Sequence, residues 1–112
     1  QENVDAIRAA VLLDLKRGDS ALAVDKAQRL VTLSAGSAND RLLLARSYQA
    51  NRDAREAERV LWQAFHDIPA DQHVYAALRQ YLVASGDEDG RKRMEAEYSD
   101  QRREQNLKEL VG

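Results

Sequence analysis

The chain has 112 residues, no cysteine and a formal net charge of −2. That length allows one modest domain, and the missing thiols exclude disulfides, thiolate metal sites and cysteine nucleophiles. A slightly acidic balance argues against non-specific nucleic-acid binding, which needs an electropositive footprint.

One proline and five glycines leave few hairpin signals, while the abundance of Ala, Leu, Arg, Glu and Gln favours helix. No apolar run approaches the ~18 residues of a membrane span and no signal-peptide pattern opens the chain, so membrane insertion is not expected and the compartment is left open.

Val4, Ile7, Val11 and Leu15 recur at helical spacing and predict a first helix from about Asn3 to Arg17. Gly18 stops it, and Asp19 or Ser20 can cap a second helix carrying Ala23, Ala27, Leu30 and Val31, which ends near Ser34-Ala35-Gly36. A third helix follows from Asp40 to Ala50 with Leu42, Leu43, Leu44 and Tyr48. Asp53 is placed to cap a fourth, whose apolar residues are Ala54, Ala57, Val60, Leu61, Ala64, Phe65 and Ile68. Pro69 cannot continue it, because proline lacks the N–H and clashes with the preceding turn. Asp71 caps a fifth helix with Val74, Tyr75, Leu78, Tyr81 and Leu82, and Gly86 ends it.

The sixth segment, from Asp87 to about Glu104, is more polar. Met94 and Tyr98 stand four apart, while Arg91, Lys92, Arg93, Arg102 and Arg103 alternate with Glu95, Glu97, Asp100 and Glu104. Such mixing suits an exposed helix held by i,i+4 pairs. Leu107, Leu110 and Val111 then return, with room for a short seventh element. A start at Gln1 and these late leucines are expected of a piece of a longer protein.

Asp19, Asp53 and Asp87 recur at a spacing of 34 residues, each after a short polar break and before a new helical pattern. A fixed period of this size is the mark of stacked helix pairs. Within the central period, Leu44-Ala45-x-x-Tyr48 is followed by Ala57-x-x-x-Leu61-x-x-Ala64 and Pro69. In these residues the chain resembles the tetratricopeptide repeat, although Arg41 stands where that motif has tryptophan. The flanking repeats match less well: Asp14 takes the tyrosine place in residues 4–37. In residues 72–105, Gly90 and Met94 fill the small and large places only if the trailing helix slides by one residue.

The resemblance implies an all-α fold, a right-handed superhelix of antiparallel helix pairs. It implies a single domain over residues 3–105, with repeats at 4–37, 38–71 and 72–105 and an extension or linker at 106–112. Small residues such as Ala45, Ala57 and Ala64 let helices approach closely, with Tyr48 and Leu61 filling the remaining space.

The family's leading helices line a concave groove. By resemblance the lining here is Arg8, Leu12, Asn39, Leu43, Arg46, His73, Ala77 and Gln80, together with Asp5, Ala9, Lys16, Ala50 and Ala84. Leu43 is expected to supply apolar contact, and Arg46 and Gln80 to orient a ligand. Co-chaperone members carry a basic clamp for a peptide's terminal carboxylate; at those places only Arg8 fits, so that ligand is not expected. Trp62 reads either as cover for a helix seam or as an exposed binding anchor.

His66 and His73 lie on different helices across Pro69, and no third ligand accompanies them, so no metal site is expected. No phosphate loop or nucleophile motif is present, and the carboxylates read as solvated helix face, so no enzyme activity and no cofactor are expected. Arg52, Arg55 and Arg59 interleave with Asp53, Glu56 and Glu58 and read as ion-paired surface rather than a nucleic-acid site. The function expected is a protein-interaction module that takes a peptide or partner protein. The alternatives are a self-associating or spacer module, forming a homo-oligomer, and a regulatory appendage of an enzyme whose catalytic domain lies elsewhere.

Overall fold

Chain punctuation sets the elements. A computed structural model describes residues 3–112 and contains, among them, six α-helices and no strand: α1 (Val4–Arg17), α2 (Ser20–Leu33), α3 (Ala38–Ala50), α4 (Ala54–Asp67), α5 (Gln72–Ser85) and α6 (Glu88–Val111). There is no seventh helix among the described residues, because α6 runs unbroken to Val111.

The helices begin where polar side chains can take up orphan N–H groups. Asn3 Oδ1 accepts from the N–H groups of Asp5 at 2.8 Å and Ala6 at 3.2 Å. Ser37 Oγ accepts from Asp40 N, Asp71 Oδ1 from Val74 N, and Asp87 Oδ1 from Gly90 N. The second helix departs from expectation. Asp19 stands at its N-cap but makes no side-chain capping bond, and the Ser20 hydroxyl donates instead to Asn51 Oδ1 at 2.8 Å. The Asp53 carboxylate accepts from Asn51 Nδ2, while its carbonyl accepts from Ala57 N.

What the three aspartates share is backbone. Gly18, Arg52 and Gly86 precede them with φ of +81°, +63° and +74°. The N–H groups of Asp19, Asp53 and Asp87 then reach back to the carbonyls of Asp14, Tyr48 and Leu82 at 2.8, 2.8 and 3.0 Å. This is the Schellman closure of a helix, made three times with a period of 34 residues. A second turn recurs in the same way, with Gly36 at φ +72° and Ala70 at φ +64°.

Two compact units divide the chain, one up to Leu61 and one from Trp62, with α4 running from the first into the second. In the first unit α1 packs on α2, α2 on α3, and α1 also touches α3. Its core is Val11, Ala23, Val24, Ala27, Leu30, Leu44, Ala45, Tyr48, Ala57, Val60 and Leu61. Ala57 has no exposed surface and Leu61 only 3%, as the small–large spacing requires. Gln28 donates to the buried Tyr48 hydroxyl at 2.7 Å, joining α2 to α3.

In the second unit α5 packs on α6 around Val74, Leu78, Leu82 and Met94, with Ala64 and Phe65 from the end of α4 also buried. On α6 the buried positions are Gly90 and Met94, so its inward face is turned by one residue relative to α2 and α4. The residues that unslipped spacing would bring inward, Arg91 and Glu95, pair with each other at 2.7 Å, and Arg91 also pairs with Glu88. Tyr98 stacks on Tyr75 with ring centroids 4.0 Å apart. One turn later Gln101 donates to the Phe65 carbonyl and accepts from Ala70 N. From Arg102 onward every residue of α6 is exposed.

Candidate partner-binding face

The leading-helix residues divide between the two units. In the first, Leu12 on α1 and Asn39 and Arg46 on α3 are exposed, as are Asp5, Ala9, Lys16 and Ala50. Leu12 keeps 45% of its surface in water, a large amount for an aliphatic side chain. Since α1 touches α3, these residues belong to neighbouring helices. The chemistry they offer is one leucine, an amide and a guanidinium, set among alanines. That suits a peptide or a helix with an apolar anchor and carboxylate or carbonyl groups beside it.

Two expected members of this face are already committed within the chain. Arg8 donates from Nε and Nη2 to the two carboxylate oxygens of Asp40 at 2.8 and 2.9 Å, and from Nη1 to Asp5. Asp40 is 1% exposed and also receives the Ser37 hydroxyl. The hydrogen bonds of Arg8 hold its carboxyl below the usual carboxylate range, with the Ser34 and Ser37 hydroxyls adding to the effect against the cost of burial. Arg8 is therefore a tie between α1 and α3 rather than a hand for a ligand. Leu43 is 9% exposed and belongs to the core, so it has little surface to give a partner.

In the second unit His73 and Gln80 on α5 are exposed, and Ala77 is half-buried. Trp62 is half-buried. Its ring meets Phe65 edge-on and stacks beside His66, and the Arg93 guanidinium lies 4.6 Å from its centroid. His66 in turn stands 3.4 Å from a Glu97 carboxylate oxygen. The indole is thus partly covered by its own unit.

Sequence reasoning passed over Asp40 and Asp14 as paired groups. Both are buried, at 1% and 5% exposure. Asp14 takes Lys26 Nζ at 2.7 Å, off the axis of a hydrogen bond, so the contact is an ion pair linking α1 to α2. A signal existed: one period apart, Asp14 aligns with Tyr48 and Leu82, and Asp40 with Ala6 and Val74. A charge in a place the period otherwise fills with uncharged, mostly apolar residues demands a partner.

Among the described residues no group of three or more His, Cys, Asp or Glu side chains could hold a metal, and no helix is long and apolar enough to cross a membrane. No family model matches the chain, and no curated protein or solved structure matches it significantly.

Proposed function

We propose that the chain is a tetratricopeptide-like scaffold that binds a peptide or partner protein on the exposed faces of its leading helices. The superhelical succession of helix pairs is part of this proposal. The observation that carries it is the Schellman turn repeated at Gly18, Arg52 and Gly86, because a helix-closing turn recurring every 34 residues is what a chain of stacked helix pairs requires. Leu12 and Arg46 stand one period apart on the neighbouring helices α1 and α3 of the first unit, and both are exposed.

The test is capture of a partner by the wild type and by the Leu12→Asp, Arg46→Glu double variant. Both residues are exposed, so the circular-dichroism signal should be unchanged while capture is lost. A control change at Leu33, exposed on a trailing helix, should leave capture intact. Capture that survives the double variant would move binding off this face.

A further inference from the structure

Of the three arginines around the start of α4, one is answered within the chain. Arg59 donates to Glu56 at 2.8 and 3.1 Å. Arg52 and Arg55 are exposed, and among the described residues no ion pair or side-chain hydrogen bond engages either. The expectation of an ion-paired surface therefore holds for Arg59 and fails for the other two.

Both stand against local preference. Arg52 takes φ +63°, in the turn place that glycine fills at Gly18 and Gly86. Arg55 lies in the first turn of α4, where the positive end of the helix disfavours a cation. A charge placed against local preference and answered by nothing in the fold marks a contact outside it.

Two more cations join them. The Ser20 hydroxyl donates to Asn51 Oδ1 at 2.8 Å, so the turn after α1 lies against the turn after α3. Lys16 and Arg17 close α1, and they too are exposed and unengaged among the described residues. The carboxylates of these turns are Asp19, which is exposed, and Asp53, which accepts from Asn51. Four cations thus accompany two carboxylates on one edge of the first unit, in a chain whose formal net charge is −2. With Asp53, Ala54 and Glu56, the two arginines border an open hollow of about 460 Å³.

We propose that this edge receives the carboxylates of an acidic peptide whose apolar residue sits on Leu12. The proposal rests on the reading of α1 and α3 as a partner face and adds the partner's charge. Lys16 follows Leu12 by one turn, so edge and face are continuous. A nucleic acid fits less well, because Asp19 and Asp53 oppose a continuous phosphate backbone. A peptide can place its charges beside the cations alone and its apolar side chain on the leucine.

The experiment is fluorescence anisotropy of the 112-residue chain with a labelled peptide of Glu and Ala around one Leu. A twin peptide carries Gln for Glu. The wild type should bind the Glu peptide about tenfold more tightly than the twin, and added salt should weaken it. Arg52→Gly with Arg55→Ala removes two charges without burdening the turn, and should weaken binding about tenfold. Lys92→Ala with Lys108→Ala removes the same charge from α6 and should leave binding unchanged. Leu12→Gln should also weaken the Glu peptide. Weakening by Leu12→Gln alone would overturn the edge and leave the face, and weakening by the arginine variant alone would do the reverse. No binding of the Glu peptide, equal binding of the twin, or tighter binding of a single-stranded oligonucleotide would each overturn the proposal.

Discussion

Arg8 grips Asp40 through two hydrogen bonds of 2.8 and 2.9 Å, a fork-to-fork contact that fastens α1 to α3 across 32 residues of sequence. Bidentate guanidinium–carboxylate geometry is among the stronger polar contacts available to a protein. Here one partner is buried and the other half-exposed, so the carboxylate has the most to lose.

We predict that Arg8→Ala lowers the melting temperature by more than Asp5→Ala does, because only the former strands a buried charge. A double-mutant cycle between Arg8 and Asp40 should give a non-zero coupling. Equal effects of the two alanine changes would show that the pair does not hold α1 to α3.

The same contact makes acid sensitivity predictable. The folded pKa of Asp40 is depressed, chiefly by the hydrogen bonds of Arg8. Its stabilising contribution is therefore complete above the unfolded carboxylate value of about 3.9, and it is lost as pH falls through the lower folded value. Wild-type stability should fall below about pH 4, and Arg8→Ala should flatten that fall. A variant with the wild-type acid profile would contradict the assignment.

The repeated turn offers a stability test. Arg52 occupies a left-handed place that glycine fills at Gly18 and Gly86. A side chain there costs roughly 1–2 kcal/mol, partly offset by the greater freedom of glycine in the unfolded chain. Arg52→Gly should raise stability by about 0.5–1 kcal/mol, and Gly18→Ala should lower it by a similar amount. Chemical denaturation measures both, and a reversal of either sign would mean that the two turns are not equivalent.

Ala57 has no exposed surface, so Ala57→Leu should overpack its seam and cost about 1–3 kcal/mol. A thermal melt without loss would place Ala57 outside a close helix contact.

Gln101 is the last α6 residue with hydrogen bonds to Phe65 and Ala70. Amide hydrogen exchange in dilute solution should show protection through Tyr98 and a decline beyond Gln101 towards Gly112. Gln101→Ala should move that decline towards the N-terminus and cost about 1 kcal/mol. Even protection to Val111 in a dilute monomer would count against this.

The six helices and most of their limits were legible in the residues, because a cap or a left-handed turn acts over four or five positions and needs nothing distant. Asn3, Asp71, Asp87, Gly18 and Gly86 work in this way. The end of α6, expected near Glu104 and found at Val111, and the start of α3, expected at Asp40 and found at Ala38, were not legible. The resemblance to the tetratricopeptide motif also implied the burial of Tyr48, Ala57, Leu61 and Ala64, and a one-residue slide of that motif brought out Gly90 and Met94. The state of the polar side chains on those helices was not legible. That Arg8 serves Asp40, that Ser20 serves Asn51 instead of its own helix, that Lys26 answers Asp14 and that Leu43 lies in the core all follow from packing. The two hydrogen-bonded pairs join residues more than thirty positions apart, and the ion pair joins neighbouring helices. Local propensity carries no information about which distant group a side chain will meet, whereas a buried carboxylate must meet one. Tertiary structure therefore decides which groups on α1 and α3 are spent on the fold and which, Leu12, Asn39 and Arg46 among them, remain at the surface.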